Sequence, residues 1–372
     1  MVQRPYYAPH SLGVDITTHC NLRCSYCSHF SSDGDIDKDL SFDEWSQFFK
    51  ECGSIGIMNI CLSGGEPFFR KDIRQIIDEI IKNKMRFSAL SNGGLIDNSL
   101  AEFLKNTKRC DYVQISIDGP DADTHDKFRG KGSFQKALNG LQNLLKHKIS
   151  ASVRVTLNKY NYQRFPETAK FLLEDLNLPS CSTNSVCYFG LCRENNDSMA
   201  MNAKEFSEAM IIVQETQKKY PKRISAQAGP QACTSMWRQM EKAINGDEEA
   251  MRESSCGFLG SCGCIWSSMA VRADGTMVPC SQLSQMEMGR INHDGLRDIW
   301  LNSPVLELMR KRIKIKLSEF DSCRDCEYME FCRGGCPAGA YNLFGKTDVP
   351  NLSIDSCYRE FLKQGGTLPP EE

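Results

Sequence analysis

Short β-prone segments alternate with amphipathic helical stretches between about Gly13 and about Leu157. The β-prone segments read SLGVDITT, IMNICLS, RFSALSN, YVQISIDG and SASVRVTL, and helical stretches such as SFDEWSQFFKECG and DIRQIIDEIIKNK lie between them. This repetition predicts a parallel sheet with right-handed crossovers. Each segment ends in a polar or Gly-rich loop: THCNLRC, SGGEP, SNGG, SIDGP and LNKYN. Because active sites on such sheets lie at the C-terminal ends of the strands, we expect these loops to form one shared site.

Size and charge limit the classes of function. The chain has 372 residues, of which 41% are hydrophobic, which is enough for one large domain and a smaller one. The formal net charge is -2 with both signs interspersed, so nucleic acid is not an expected partner. The N-terminal segment lacks the apolar stretch of a signal peptide, and no run of about 18 apolar residues is present to span a membrane. We therefore expect a cytoplasmic protein without a membrane partner.

Cysteine is unusually abundant, with 19 residues. In a chain of this length without an export signal, this abundance indicates metal ligation and not a disulfide framework. Nine of the cysteines lie between Cys256 and Cys357, among Gly-rich and charged stretches that bury little apolar surface. Metal binding is expected to supply part of the folding free energy there. Residues 203–253 read as two helices of a connector, and the C-terminal QGGTLPPEE is expected to be disordered.

Cys20, Cys24 and Cys27, here called the cysteine triplet, form a CxxxCxxC pattern in the loop after the first predicted strand. One short loop with this spacing offers three thiolates to a cube of four irons. The fourth iron then keeps an open position for a substrate group, as a catalytic zinc does. On the triplet alone, a zinc site and a chance group of buried thiols remain alternatives.

Further motifs follow the triplet in order along the predicted strands. They are Tyr26 directly before the third cysteine, Gly64, Gly65 and Glu66 in GGEP after the second strand, Ser91 and Asn92 at the end of the third, Ser116 and Asp118 at the end of the fourth, His125, Asp126 and Arg129 in THDKFRG, and Arg154 on the fifth. In this order the region resembles the radical S-adenosylmethionine (SAM) superfamily. The resemblance implies an α/β fold with a partial, TIM-like (β/α)6 barrel, and a 4Fe-4S cluster held by the triplet.

The resemblance also implies roles for these residues. Tyr26 corresponds to an aromatic residue near the adenine, and the GGEP backbone with the Glu66 carboxylate holds the methionine amino group. The counterparts of Ser91, Asn92, Ser116 and Asp118 lie around the ribose and the methionine carboxylate, for which Arg129 and Arg154 are candidate partners. In this family the amino and carboxylate groups of SAM chelate the open iron, electron transfer breaks the bond from sulfur to the 5′ carbon, and the 5′-deoxyadenosyl radical takes a hydrogen from substrate.

The C-terminal cysteines follow a second pattern, with CxxCxxxxxCxxxC between Cys323 and Cys336. This region resembles the SPASM domain, an extension of radical SAM enzymes that mostly modify peptides and proteins. The resemblance assigns one auxiliary cluster to Cys256, Cys262, Cys280 and Cys336, and the other to Cys323, Cys326, Cys332 and Cys357. Cys264 stands where the family usually has a small residue, so the choice among the early thiols stays open. A pair of zinc ribbons is the alternative for the whole set.

Together the two resemblances imply SAM and three 4Fe-4S clusters as cofactors, with a flavodoxin- or ferredoxin-type electron donor. They divide the chain into a radical SAM partial barrel at residues 1–200, a helical connector at 201–255 and a small cysteine-rich SPASM domain at 256–372.

The favoured reaction within this group is oxidative modification of a ribosomally made peptide or protein, such as a thioether or carbon-carbon crosslink. Sulfatase maturation is disfavoured, because Ser281 and Gln282 follow Cys280 where those enzymes have an Asp base. The 19 residues before Cys20 are too few for a leader-recognition domain, so we expect a separate recognition protein or recognition by the barrel and SPASM surfaces. Tetrapyrrole chemistry in haem biosynthesis stays open. An electron-transfer or scaffold protein is disfavoured by the intact GGEP and strand-end motifs.

Overall fold

The protein is described here by a computed structural model for residues 5–29, 38–186, 199–254 and 256–370. It divides into two units. Unit 1 comprises Met1–Ile117, Asp121–Arg154 and Gly263–Glu307, and unit 2 comprises Asp118–Pro120, Val155–Cys262 and Leu308–Glu372. In these described ranges, no helix combines the length and the apolar character needed to cross a membrane.

Strands and helices alternate through the first half of the chain. The strands are β1 (Ser11–Thr17), β2 (Asn59–Gly64), β3 (Arg86–Ser91), β4 (Cys110–Ser116), β5 (Ala151–Leu157), β6 (Cys181–Ser185), β7 (Ile224–Ala226), β8 (Ser268–Val271), β9 (Thr276–Val278) and β10 (Gly289–Arg290). The helices are α1 (Phe42–Ser54), α2 (Ile73–Lys82), α3 (Asn98–Thr107), α4 (Ala122–Arg129), α5 (Ser133–Lys146), α6 (Phe165–Lys170), α7 (Ala203–Lys219), α8 (Pro230–Ile244), α9 (Glu248–Ser254), α10 (Leu296–Asn302), α11 (Pro304–Lys311), α12 (Asp321–Arg324), α13 (Pro337–Phe344) and α14 (Tyr358–Lys363). The five predicted strands are thereby confirmed as β1 to β5.

The sheet of unit 1 is mainly parallel, with the strand order β10-β9-β8-β1-β2-β3-β4-β5. Strands β1 to β5 pair in parallel, each with the next. Strand β8 adds in parallel on the other side of β1, where Ser268 lies opposite Ser11, and β9 and β10 continue in antiparallel order. The parallel run with helical crossovers confirms the predicted α/β fold and partial barrel. The pairing of β8 with β1 is not predicted from the sequence.

The two faces of this sheet differ in polarity. Side chains on one face are apolar and completely buried, among them Leu12, Val14, Ile16, Ile60, Leu62, Phe87, Ala89, Val113, Ile115 and Val153. Register places mainly polar side chains on the other face, among them Asp15, Cys61, Ser63, Ser88, Gln114, Ser116 and Arg154. Because successive residues of a strand point to opposite faces, the helices of the crossovers cover the apolar face and leave polar groups on the other.

Helix α1 shows how the local sequence builds these crossovers. Ser41 caps it, since its hydroxyl accepts from Glu44 N while the Glu44 carboxylate accepts from Ser41 N at 2.8 Å. This capping box satisfies two backbone donors that a helix start leaves unpaired. Trp45, Phe48 and Phe49 follow at helical spacing and are completely buried, so one apolar stripe docks the helix.

Unit 2 contains the parallel pair β6 and β7, in which Cys181 lies opposite Ile224. Both predicted connector helices are present, the first as α7, but the second is divided into α8 and α9. Gly246 has a left-handed φ of 89°, and Asp247 accepts from Ala250 N at 2.9 Å to start the next helix. The prediction of one continuous second helix is therefore wrong, because a glycine in that conformation ends a helix. The predicted boundaries at 200 and 255 stay predictions.

The described part of the C-terminal tail, residues 364–370, packs within unit 2, so the predicted disorder is wrong for these residues, and Glu371 and Glu372 lie outside the described residues. Arg238 on α8 donates to the carbonyls of Pro369 and Pro370, both at 3.0 Å. Thr367 N donates to Ser207 Oγ at 2.8 Å, and Pro369 is buried. The polar composition of the tail gave no sign that its backbone carbonyls bind an arginine.

Candidate functional site

The cysteine triplet lies in the loop after β1, where the sequence predicts it, and its thiols are half-buried. The loop is fixed by backbone hydrogen bonds from Cys27 N to Cys24 O (3.1 Å) and from Ser25 N to Phe128 O (2.9 Å). Burial raises the pKa of the Cys20 thiol; a hydrogen bond from Leu22 N opposes this, and the nearby Cys27 thiol adds to it.

The surroundings of these sulfurs fit a cluster bound by thiolates. Leu22 N lies 3.4 Å and Asn92 Nδ2 lies 3.8 Å from Cys20 Sγ. The guanidinium of Arg129 lies 4.0 Å from Cys24 Sγ. Donors that point at sulfur stabilise its negative charge and tune a bound cluster. The chain therefore offers the donor set that an iron-sulfur cluster requires.

The GGEP loop lies directly against the triplet loop. Gly65 N donates to Thr17 O and Glu66 N donates to His19 O, both at 2.8 Å. Gly64 has a left-handed φ of 114°, and a Cβ on Gly65 would lie 2.6 Å from the carbonyl carbon of His19. Only glycine permits so close an approach of two backbones. The two predicted motifs are thereby brought together at one end of the sheet.

Glu66 forms the centre of a buried network at the ends of β2 and β3. One carboxylate oxygen accepts from Ser91 Oγ (2.9 Å) and Phe68 N (3.2 Å), and the other accepts from Asn92 N (2.8 Å). Burial raises the pKa of Glu66 to about 7, although the hydrogen bonds from Asn92, Ser91 and Phe68 act in the opposite direction. The carboxylate therefore fixes the SNGG loop as well as being available to a cationic group.

Asn92 links this network to the triplet. Its amide nitrogen donates to Asn21 Oδ1 at 2.8 Å besides approaching Cys20, and its oxygen accepts from Gly94 N at 2.8 Å. Asn21 was not predicted as a site residue, and its position between two ligands of the triplet was the signal that could have identified it. A single asparagine thus couples the end of β3 to a thiol of the triplet.

Tyr26 and Arg129 contact each other. The Arg129 guanidinium lies 5.4 Å from the centroid of the Tyr26 ring, a cation–π geometry. Asp126, three residues before Arg129, accepts from Gly132 N (2.6 Å) and Phe134 N (2.8 Å). Burial opposes the ionisation of Asp126, but these donors and Ser133 lower its pKa overall. The HDxxRG segment therefore ends α4 in a fixed turn that holds the arginine beside the triplet.

The remaining predicted SAM contacts lie further along the sheet. Ser116 ends β4 and lies opposite Arg154 of β5 in register. Asp118 belongs to unit 2, where it is completely buried and accepts from Thr156 N at 2.8 Å. Asn161 donates to the carbonyl of Asp118 at 2.9 Å. The Asp118 carboxylate is thus used inside the protein, and its predicted contact with SAM stays a prediction.

Two residues that the sequence did not single out shape the end of β1. Asp39 accepts from Thr18 N at 2.9 Å and from the Thr17 hydroxyl. Arg70, three residues after GGEP, donates to the carbonyls of Ile16 and Leu40, both at 2.9 Å, and pairs with Asp72. Both orient the strand from which the triplet loop leaves. No motif marks them, because the strand atoms that they bind are distant from them in sequence.

In unit 2, Cys323, Cys326, Cys332 and Cys357 form what we call the four-cysteine group. These thiols interact electrostatically, and burial raises the pKa of Cys332 to about 11, with further contributions from Cys357, Cys323 and Cys326. Gly334 N donates to Cys332 Sγ at 3.3 Å, which lowers that pKa. Four converging thiols with a backbone donor fit an iron-sulfur cluster. No three His, Cys, Asp or Glu side chains in the described ranges are close enough to hold a single metal ion.

The other predicted ligand set is distributed over both units. Cys256, Cys262 and Cys336 belong to unit 2, whereas Cys280 belongs to unit 1, as does Cys264, the alternative among the early thiols. Within unit 2, Cys262 and Cys336 line a cavity of about 490 Å³ together with Cys332, Trp237 and Phe331. The assignment of this set to one cluster stays a prediction. The sequence also offers Cys181, Cys187 and Cys192 near the predicted last strand of the barrel as thiols that could contact substrate; Cys181 is buried in β6, and Cys187 and Cys192 lie outside the described residues.

Comparisons with known proteins agree with this geometry. Residues 14–172 match the family model of the radical SAM superfamily, and residues 262–327 match SPASM, described as an iron-sulfur cluster-binding domain. Among curated proteins, an AdoMet-dependent heme synthase of Methanosarcina barkeri is 28% identical over 91% of this chain and 94% of its own length. A PqqA peptide cyclase of Bradyrhizobium diazoefficiens is 23% identical over 98% and 96%.

Solved structures share the fold. SuiB of Streptococcus suis, bound to the precursor peptide SuiA, superposes with a TM-score of 0.71 at 14% identity, covering 95% of this chain and 77% of that one. The structure of anSMEcpe with bound AdoMet gives a TM-score of 0.70 at 19% identity, covering 95% and 96%. The protein is an enzyme of the radical SAM superfamily that carries a C-terminal SPASM domain.

Proposed function

We propose that this enzyme cleaves SAM reductively and uses the resulting radical to modify a polypeptide oxidatively, with three 4Fe-4S clusters. SAM cleavage is supported above all by the contacts of Asn92, whose side chain approaches Cys20 of the triplet and whose backbone N donates to Glu66. When bound, SAM and the clusters supply a 5′-deoxyadenosyl radical and an acceptor for the electron that the substrate must lose.

The protein's own part is binding, orientation and exclusion of water. Cys20, Cys24 and Cys27 hold the first cluster, and the GGEP backbone with Glu66 receives the amino group of SAM. Arg129 and Arg154 are the proposed partners of its carboxylate, as charge-assisted donors. Tyr26, which is 9% exposed, supplies an aromatic wall for the adenine. A substrate that is bound beside these groups excludes water from the radical.

The polar face of the unit 1 sheet supports a polypeptide substrate. It carries a carboxylate (Asp15), a thiol (Cys61), hydroxyls (Ser63 and Ser88) and a guanidinium (Arg154) at mutually aligned positions. Asp15 accepts from Ser63 Oγ at 2.7 Å. Groups of both charges and mixed hydrogen-bonding character suit amide and polar side-chain groups. The macrocycle of a tetrapyrrole calls for apolar walls instead, and only its carboxylate side chains would suit such a face.

Anaerobic incubation with SAM, dithionite and short peptides encoded beside the gene tests the proposal. Mass spectrometry is expected to show loss of two hydrogens from one peptide. Cys326→Ala is expected to release 5′-deoxyadenosine without modified peptide, because it removes one thiol of the four-cysteine group. Cys110→Ala, outside every predicted ligand set, is the matched control and is expected to retain both activities.

The second candidate is oxidation of a tetrapyrrole in haem biosynthesis, and the specific observation in its favour is the sequence similarity to curated haem synthases. The same incubation is repeated with Fe-coproporphyrin III as substrate. Turnover of this tetrapyrrole, with every tested peptide unchanged, would reject the polypeptide proposal in favour of this one. A separate leader-recognition protein and a flavodoxin- or ferredoxin-type donor remain proposed partners.

A further inference from the structure

Arg312 is completely buried in unit 2, at the start of the helical turn Arg312–Lys314. Among the residues that the structure describes, its guanidinium donates to backbone carbonyls alone: those of Gly260 (2.7 Å), Val349 (2.8 Å), Gly335 (3.1 Å), Gly334 (3.3 Å) and Thr347. None of these partners is a carboxylate. A buried cation is costly unless a negative charge compensates it, and carbonyl dipoles supply only part of that compensation.

The carbonyls that bind Arg312 belong to the loops that carry predicted cluster ligands. Gly260 lies two residues before Cys262, and Gly334 and Gly335 directly precede Cys336. Gly334 and Gly335 have left-handed φ angles of 65° and 70°. Gly334 N also donates to Cys332 Sγ. The guanidinium of Arg312 therefore binds backbone carbonyls of both loops that carry predicted ligands.

Electrostatics point in the same direction. Burial lowers the pKa of Arg312 to about 10, and the nearby Cys336 thiol and Asp348 oppose this change. The side chain is therefore a cation at neutral pH. The 490 Å³ cavity lined by Cys262 and Cys336 lies in the same unit. A cluster held by thiolates carries net negative charge, which adds to the charge of Asp348 and supplies compensation that the carbonyls do not.

We propose that Arg312 is the buried counter-charge of the auxiliary cluster held through Cys336 and raises its reduction potential. This inference rests on the auxiliary clusters of the proposed function. One-electron reduction, with dithionite as the donor, adds negative charge to the cluster, and a neighbouring cation in a medium of low dielectric constant stabilises the reduced form. Arg312 is thus a positioning residue that acts on the cluster through the loops and through its charge.

The test is a redox titration followed by electron paramagnetic resonance. It uses reconstituted full-length protein in which the cysteine triplet is replaced by alanine, so that only auxiliary clusters give a signal. Arg312→Met is expected to keep its iron and to be about tenfold less reduced at a fixed potential, a shift of about 59 mV to more negative values. Arg312→Lys keeps the charge and is expected to shift less. Arg324→Met, an exposed arginine next to Cys323, is the matched control and is expected to leave the potential unchanged, because solvent screens its charge.

Three outcomes would overturn the proposal. The first is an unchanged potential in Arg312→Met at full iron content. The second is an equal shift in Arg312→Lys and Arg312→Met, which would assign the effect to geometry and not to charge. The third is loss of auxiliary iron in both variants, since the arginine would then only build the loops. Absence of auxiliary iron in the unsubstituted protein would instead reject the proposed clusters themselves.

Discussion

Replacing Gly140 with alanine tests how closely helix α5 approaches the loop that carries Asn92. Gly140 lies inside α5 and is buried. A Cβ there would overlap the carbonyl oxygen of Gly93 and lie 2.9 Å from its carbonyl carbon and 3.2 Å from its Cα. These atoms are backbone and cannot rotate away, so either the helix or the SNGG loop must shift.

Two opposing effects set the magnitude. Alanine in a helix interior is favoured over glycine by about 1 kcal/mol. Overpacking against fixed atoms costs about 1–3 kcal/mol. Since the overlap is with backbone, we expect the upper part of that range, and a net fall of about 1–2 kcal/mol in the free energy of unfolding. A shift of the loop also moves Asn92 away from Cys20, so SAM affinity is expected to fall by about tenfold, which corresponds to about 1.4 kcal/mol.

Urea unfolding of the anaerobically reconstituted protein and calorimetric titration with SAM measure the two effects. Asn139→Ala is the matched control, because it adds alanine to the exposed neighbouring position of α5. This control is expected to be slightly more stable than the wild type and to bind SAM normally. A Gly140→Ala protein as stable as the control, with unchanged SAM affinity, would refute the close approach.

Other predictions concern pH, iron and a buried amide. Because the pKa of Glu66 is raised from 4.5 to about 7, its protonation stabilises the folded state at low pH, and this contribution of about 3 kcal/mol is lost as the pH rises from 4.5 to about 7; Glu66→Gln is expected to flatten the urea-midpoint profile over that window. Reconstituted wild type is expected to bind about twelve irons and the triplet-to-alanine variant about eight, as iron assays would show; zinc with about four irons would reject the auxiliary clusters. Asn161→Ala removes one amide donor from the carbonyls of Asp118 and Thr156 and is expected to lower the free energy of unfolding by about 1–3 kcal/mol, whereas an unchanged urea midpoint would contradict this.

The strands and the triplet were predictable because their signals are local. Alternation of polar and apolar residues from Ser11 to Thr17 reports a strand with one buried face, and the structure has that strand. The glycines of GGEP report a close backbone approach, which the contacts of Gly65 with Thr17 and Glu66 with His19 show. Spacing in the chain is enough to bring such neighbouring loops together.

Contacts between distant segments were not predictable. Asp39, Arg70 and Arg312 act on backbone carbonyls or amides, and any residue provides those atoms, so no sequence pattern records the pairing. The break at Gly246 shows a second limit, since a glycine inside a helical pattern is tolerated in some proteins and ends the helix in others. The proline-rich tail was misjudged because its composition is polar, while its order depends on Arg238.

Strand β8 has a consequence for synthesis of the chain on the ribosome. Its Ser268 pairs with Ser11 of β1, so one partner of the first strand emerges about 250 residues later. At roughly 5–20 residues per second, translation leaves that side of β1 unpaired for tens of seconds. An unpaired strand edge is a template for association with other chains. The nascent protein therefore has a defined period of vulnerability, which ends when residues 268–271 have left the exit tunnel.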